Sequence, residues 1–162
     1  MTRMGVFSDS HGDSRSLLAL LGQMGRLSAV FFLGDIARDS DLLEAHLSSW
    51  AIPPVFCAVR GNNDLASLLP DEILTELDGV RVYLTHGHLC RVRGGTAELV
   101  RRAKERGAQI ALYGHTHEPY CAVEQGILVV NPGAAHPFGN RRARACVIEI
   151  ENGRFRVQDI VY

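Results

Sequence analysis

Short apolar runs alternate with helical patterns through the first two thirds of the chain. The apolar runs lie at residues 5–8, 30–33, 55–59, 80–85 and 110–113. The helical patterns lie at residues 17–24, at residues 40–47 and from Thr96, which we expect to cap its helix, toward Gly107. Strands that alternate with helices are typical of βαβ units, and the pattern therefore predicts an α/β fold with a largely parallel sheet.

The last third of the chain predicts antiparallel strands instead, at residues 120–124, 127–131, 143–150 and 154–161. Gln125-Gly126 separates the first two, and Asn152-Gly153, a dipeptide favoured in type I′ hairpin turns, separates the last two. We therefore expect parallel strands early and antiparallel strands late, an arrangement that two packed sheets with helices outside would accommodate. No linker or repeat interrupts the chain, so residues 1–162 are expected to form a single domain.

The composition argues against several classes of protein. The net charge is −1, which gives no electrostatic basis for binding nucleic acid or an anionic membrane. No apolar run approaches the roughly 18 residues of a membrane span, and no signal-peptide pattern precedes the first run. The four cysteines are widely spaced and form neither a zinc-ribbon motif nor a disulfide framework. We therefore expect a cytoplasmic protein without nucleic-acid or membrane partners.

Polar residues of the types that bind metals follow each of the five apolar runs. The segments are Asp9-Ser10-His11, Gly34-Asp35, Arg60-Gly61-Asn62-Asn63-Asp64, His86-Gly87-His88 and Gly114-His115-Thr116-His117. The carboxyl ends of parallel strands open on one crevice, where ligands bind, so these side chains are expected to converge. Any one segment is also explained as an ordinary turn or helix cap. Five in succession, which hold five of the seven histidines, predict a metal site.

The residue types indicate which chemistry such a site would support. Two divalent cations can activate a water for attack on a phosphate ester, and a carboxylate such as Asp35 can bridge them. Histidine nitrogens favour manganese, iron, zinc, nickel or cobalt over magnesium and calcium, and we favour manganese. The charge of two such cations exceeds that of Asp9, Asp35 and a bridging hydroxide. The site would therefore keep a positive charge, which suits a phosphate.

In this order the segments resemble the motifs of the calcineurin-like metallophosphoesterases, and most closely those of their short YfcE-like phosphodiesterase branch. The motifs run DxH, GD, GNxD, HGH and GHxH from Asp9 to His117. Asn-Pro-Gly at residues 131–133 resembles the NPGS segment of that branch, with Ala134 in place of serine. The resemblance implies a four-layer α/β sandwich of two mixed sheets flanked by helices. It also implies a metal-dependent phosphoesterase.

The resemblance further assigns ligands to two divalent transition-metal ions that share Asp35. One ion would be held by Asp9, His11, Asp35 and His117. The other would be held by Asp35, Asn62, His86 and His115. Asn62 would be a neutral oxygen ligand, which helps to preserve the positive charge of the site.

One position departs from the pattern of many larger family members, which have a histidine proton donor directly after the metal-binding asparagine. Asn63 stands there, and an amide cannot supply a proton at neutral pH, although it can donate a hydrogen bond to a phosphoryl oxygen. His88 is the nearest candidate for a substitute acid. We therefore expect phosphodiesters, or esters with acidic leaving groups, to be better substrates than alkyl monoesters.

Alternative functions for the same residues remain open. A phosphomonoesterase acting on small metabolites or nucleotides would use the same residues, whereas a catalytically silent scaffold of the retromer-subunit type would have lost ligands that are all present here. The chain is too short for the capping domains of a double-strand-break repair nuclease. Arg141 and His136 either anchor the substrate at the rim of the site or are merely exposed, and His46 is expected on the surface or in a subunit contact. A small phosphate ester is the expected partner, and assembly into a homo-oligomer is compatible with the family.

Overall fold

A computed structural model describes residues 1–162, which form ten strands and three α-helices. The strands are β1 (Thr2–Phe7), β2 (Ala29–Phe32), β3 (Val55–Ala58), β4 (Glu72–Leu77), β5 (Val80–Thr85), β6 (Ile110–Leu112), β7 (Tyr120–Glu124), β8 (Ile127–Asn131), β9 (Arg144–Glu151) and β10 (Arg154–Val161). The helices are α1 (Ser14–Gly22), α2 (Ala37–Ser48) and α3 (Ala97–Glu105). Two short 3₁₀ turns follow β5, at His88–Cys90 and Val92–Gly94.

The strands form two five-stranded mixed sheets. The first has the order β10-β9-β1-β2-β3, and the second has the order β4-β5-β6-β8-β7. Strands β1, β2 and β3 are parallel, as are β5, β6 and β8, while the remaining strands pair antiparallel with their neighbours. The expected division into early parallel and late antiparallel strands holds only in part, because the early β4 is antiparallel to β5 and the late β8 is parallel to β6. The parallel strands β1, β2 and β3 lie at one side of the first sheet, whereas β5, β6 and β8 lie at the centre of the second.

Three apolar layers hold the sheets and helices together. Between the sheets lie side chains such as Val6 and Phe31 from the first and Leu84 from the second. Alternate residues of the first sheet face α1 and α2, and alternate residues of the second face α3, as the period of two in a strand requires. This arrangement confirms the α/β sandwich of two mixed sheets flanked by helices. No helix is both long enough and apolar enough to span a membrane.

Two local expectations were wrong. Strand β4 was not expected, yet it forms a hairpin with β5 around Asp78 and Gly79, whose φ angles of 52° and 74° suit a type I′ turn. Thr96 precedes α3, but its hydroxyl does not cap the helix; it donates to the Glu124 carboxylate at 2.8 Å instead. A contact between residues so far apart in the chain gives no local signal in the sequence.

Candidate metal centre

The polar loops that follow β1, β2, β3, β5 and β6 meet at one end of the sandwich. Contacts between their side chains join the two sheets: His117 Nε2 lies 3.2 Å from Asp9 Oδ1, and His86 Nε2 lies 3.6 Å from Asp35 Oδ2. The convergence is as expected, but the loops come from both sheets rather than from one. The crevice is therefore formed where the carboxyl ends of the parallel strands of both sheets meet.

The first group of potential ligands consists of Asp9, His11 and His117. Their ligand atoms all lie within 4.8 Å of one another. The two histidine Nε2 atoms are 3.2 Å apart, and both face Asp9 Oδ1, at 4.0 Å for His11 and 3.2 Å for His117. Burial of His11, followed by the charge of His136, lowers the pKa of its ring, whereas the close contact with the Asp9 carboxylate raises the pKa of His117.

The second group consists of Asp9, Asp35 and His86, whose ligand atoms also lie within 4.8 Å of one another. All three side chains are buried. Asn62 joins them, because its Oδ1 atom lies 3.1 Å from His86 Nε2. His86 Nδ1 donates to the carbonyl of Leu33 at 2.6 Å, which fixes the ring and leaves the Nε2 lone pair directed at the carboxylates.

Asp9 belongs to both groups, and its two oxygens are in different situations. Oδ2 accepts hydrogen bonds from Ser8 Oγ at 2.6 Å and from the backbone N–H of His115 at 2.9 Å. Oδ1 is buried and accepts no hydrogen bond. Burial raises the pKa of this carboxyl, but the contact with His117, the proximity of His86 and the hydrogen bond from Ser8 outweigh it and lower the pKa below its ordinary value.

A buried carboxylate oxygen without a donor is costly unless a cation or donor satisfies it. Asp9 Oδ1 therefore fits a metal ion better than it fits a purely structural role, and the surrounding histidine nitrogens and carboxylates are donors that divalent transition metals accept.

His115 lies outside the two groups. Its Nε2 atom accepts a hydrogen bond from Arg93 Nε at 3.0 Å, and its ring centroid is 5.2 Å from that of His86. Burial, together with the charges of His86 and Arg93, lowers the pKa of His115 to about 4, so that the ring is neutral at physiological pH. A neutral ring keeps a lone pair available, which a metal ion and Arg93 would compete for.

Asn63 contacts Asp35 in this structure. Its backbone N–H donates to Oδ1 at 3.0 Å, and its side-chain amide donates to Oδ2 at 2.6 Å. Asn63 thus holds the Asp35 carboxylate in place, a role that the sequence did not suggest.

His88 borders a cavity of about 270 Å³ that Asn62 also lines, and its Nδ1 atom is buried without a hydrogen-bond partner.

The backbone at the site is unusual, because five of the proposed ligands have positive φ angles. The angles range from 48° for His11 to 67° for His115. The other three residues are Asp9, Asp35 and His117. Such conformations are uncommon for residues other than glycine, and each costs on the order of 1–3 kcal/mol that the surrounding structure must offset. Their clustering here marks the loops as a functional site.

Several buried polar residues that the sequence analysis left without a role support these loops. Asp64 accepts hydrogen bonds from the backbone N–H groups of Asp35 at 2.9 Å, Gly61 at 2.7 Å and Ala37 at 2.7 Å. Asn131 donates to the carbonyl of Gly114 at 3.0 Å. Both lie within motifs that the sequence displays, but only the fold shows that they orient other loops.

Three further residues, Asp39, Arg93 and His136, lie at the site and contact residues that are distant in the sequence. Asp39 accepts from Ser10 Oγ at 2.5 Å, and His136 Nδ1 donates to the carbonyl of Asp9 at 2.7 Å. The ring of His136 is 4.8 Å from that of His11. His136 and Arg93 therefore belong to the site, whereas His46 packs against Trp50 at a ring distance of 6.4 Å, on α2.

Comparison with known proteins agrees with this geometry. Residues 2–153 match the calcineurin-like phosphoesterase superfamily domain. The probable metallophosphoesterase YsnB of Bacillus subtilis is 31% identical over 91% of this chain and 83% of its own length. A phosphodiesterase of Methanocaldococcus jannaschii is 33% identical over 81% of this chain and 82% of its own.

A solved structure gives the same result at the level of the fold. The Streptococcus pneumoniae protein, described as a predicted phosphoesterase, superimposes with a TM-score of 0.82 and 33% sequence identity. The match covers 99% of this chain and 89% of the other. On the evidence of its domain, its relatives and its buried carboxylate–histidine groups, this chain belongs to the calcineurin-like phosphoesterase superfamily.

Proposed function

We propose that the protein is a phosphodiesterase that uses two divalent metal ions. The observation that carries the proposal is the pair of ligand groups that share the buried Asp9, whose Oδ1 atom has no hydrogen-bond partner. The groups contain five of the seven ligands expected from the motifs, although they share Asp9 where the motifs assign the shared ligand to Asp35. One ion would be held by Asp9, His11, Asp35 and His117, and the other by Asp35, Asn62, His86 and His115. These ligands are all present, which disfavours a scaffold that has lost its metals.

The donor set suggests which ions the site would take. Imidazole nitrogens, carboxylates and one amide oxygen suit manganese, our first choice, and also nickel, iron, zinc or cobalt. Held by these residues, two such ions would supply an activated water and would neutralise charge on the phosphoryl oxygens.

The side chains of the protein perform the remaining tasks. Asn63 holds the Asp35 carboxylate through two hydrogen bonds, and the Leu33 carbonyl fixes the ring of His86. Because both contacts are formed before substrate arrives, the ligands need little rearrangement. Asn63 has no proton to give to a leaving group, so substrates whose leaving group needs none are favoured. The relative from Methanocaldococcus jannaschii, itself named a phosphodiesterase, supports diesters as the substrate class.

The overall charge of the chain bears on its substrate class. The net charge of −1 fits small phosphate esters better than nucleic acid or an anionic membrane. A cytoplasmic location accords with such substrates.

The proposal predicts a substrate preference that a pair of nitrophenyl esters can measure. Metal-stripped protein should be inactive, and manganese should restore hydrolysis of bis(4-nitrophenyl) phosphate at a kcat/KM at least about tenfold above that for 4-nitrophenyl phosphate. The same assay with nickel, iron, zinc and cobalt ranks the ions. A higher rate on the monoester would favour the phosphomonoesterase alternative. Absence of activity with every ion, together with a failure to bind any of them, would return the scaffold to consideration.

The role of His88 as a proton donor gives a second prediction. His88→Ala should slow hydrolysis of phenyl esters, whose leaving group needs a proton, by about 100-fold, the lower range for general acid catalysis. It should leave nitrophenyl esters within about twofold, since nitrophenolate departs unprotonated. His46→Ala, on the outer helix, is the control and should change neither rate. If the two leaving groups respond equally to His88→Ala, the residue has no acid role.

A further inference from the structure

A cleft of about 510 Å³ opens directly beside the first ligand group. It is lined by Arg93, Thr116, His117, Glu118, Phe138 and residues 139–141. His117 belongs to the ligand group, and Arg93 donates to His115, so the inner wall of the cleft is part of the metal centre. A phosphate ester whose phosphorus lies at the centre would have its organic group directed toward a neighbouring cleft such as this.

Phe138 also lines the cleft, and its ring is exposed to solvent although it lies close to two histidine rings. The side chain is 61% exposed, although its ring centroid lies 6.0 Å from that of His117 and 6.2 Å from that of His136. The backbone N–H of Phe138 donates to the carbonyl of Arg141 at 3.0 Å, and that of Arg141 donates back at 2.9 Å. The loop is therefore closed at its base, and it holds Phe138 in the lining of the cleft.

The charges of the cleft suit an anionic ligand. Arg93 and Arg141 contribute positive charge, and Glu118 contributes the one negative charge of the lining. Arg141 pairs with Glu118 at 3.1 Å, whereas the Arg93 side chain hydrogen-bonds to the ring of His115 and forms no ion pair. The guanidinium nearest to the metal ligands is thus the one without a carboxylate partner.

A second depression, which borders the site at Asn63, offers different chemistry. It has a volume of about 600 Å³ and contains Asn63, Leu65 and Leu68, of which Leu68 is fully exposed. Its lining includes no aromatic side chain on which a ring could stack. Of these two depressions, therefore, the one beside His117 has an exposed phenylalanine ring in its lining and the one beside Asn63 has none.

We propose that the cleft between Arg93 and Phe138 binds the organic group of the phosphate ester and selects an aromatic one, aryl or nucleobase. The aromatic group stacks on Phe138 while Arg93 faces the phosphoryl oxygens. Offset stacking between aromatic rings stabilises such a contact, and the cationic guanidinium complements the phosphate. The inference rests on the proposed phosphodiesterase function and names its substrate class.

Two phosphonates test the selection without turnover, because their carbon–phosphorus bond is not hydrolysed. Calorimetric titration of the manganese-loaded protein should give a Kd for phenylphosphonate about tenfold below that for methylphosphonate, as expected for one stacked ring. Phe138→Ala should abolish this ratio and leave the Kd for methylphosphonate unchanged, which also shows that the variant is folded and holds its metals. Leu68→Ala, the matched control in the other depression, should keep the ratio of the unaltered protein.

The possible results distinguish a failure of the aromatic selection from a failure of the proposed phosphodiesterase function. A tenfold ratio that survives in Phe138→Ala, or that Leu68→Ala removes instead, overturns the assignment of the cleft. If methylphosphonate binds and bis(4-nitrophenyl) phosphate is hydrolysed but no ratio is found, the aromatic selection is wrong while the phosphodiesterase function stands. If neither phosphonate binds and the diester is not hydrolysed, both are wrong.

Discussion

Asp9→Asn is expected to abolish metal-dependent hydrolysis, with kcat/KM lowered by more than about 100-fold. That factor is the upper range for residues that only orient a metal ligand, and Asp9 is proposed as a ligand itself. Its Oδ1 atom belongs to both ligand groups and has no other partner in the protein. The neutral amide removes one negative charge from a centre that must attract cations, so metal affinity should fall together with activity.

The substitution separates metal binding from folding, because the shape of the side chain is unchanged. The asparagine oxygen can keep the hydrogen bonds from Ser8 Oγ and the His115 N–H that Oδ2 now accepts. Its NH₂ group would then replace Oδ1 and present a donor where a ligand is needed. Manganese titration by calorimetry and thermal unfolding of the metal-free protein measure the two effects independently. Asp159→Asn, an exposed carboxylate on β10, is the control and should bind manganese normally. An Asp9→Asn protein that binds both ions with unchanged affinity would refute the assignment.

Much of the fold was predictable because its signals are local. Asn152-Gly153 marked the turn between β9 and β10, and both residues do have positive φ angles, of 50° and 73°. Asp78-Gly79 carries an equally local signal that the sequence analysis overlooked, since β4 beside it is a half-exposed side strand with a weak apolar pattern. The distribution of strands between two sheets was not predictable, because it depends on which surfaces pack and not on any single segment.

The candidate site likewise has one part that local motifs predict and another part that only the fold reveals. The ligand-type residues were found because they recur at strand ends in a recognisable order. The roles of Asp64, Arg93 and Phe138 were not, because they come from contacts with other loops: the Asp64 carboxylate with the Asp35 N–H, Arg93 with His115, and Phe138 with His117. Motifs thus identify the atoms that could hold metals, whereas the groups that position those atoms and border the substrate emerge only from the fold.

Gly61→Ala should inactivate the enzyme by another route, through the backbone beneath Asp35. A Cβ atom at residue 61 would lie 1.9 Å from Asp35 Oδ1 and 2.6 Å from the Asp35 backbone nitrogen. The two residues cannot simply move apart, because the Asp64 carboxylate accepts hydrogen bonds from both of their N–H groups. We expect a loss of stability of about 1–3 kcal/mol, typical of an overpacked interior. Activity should fall by about 100-fold or more, since a shift of about 1 Å in a catalytic group has that effect.

Gly22→Ala is the matched control for the same chemical change. Gly22 ends α1, and a Cβ atom there meets nothing within 4 Å. Since alanine is the better helix former, this variant should be as active as the unaltered protein and up to about 1 kcal/mol more stable. Urea unfolding of the metal-free proteins measures both free energies without a contribution from bound ions. Gly61→Ala with full activity would show that Asp35 need not be held where the structure places it, and would remove the reason for a glycine directly before Asn62.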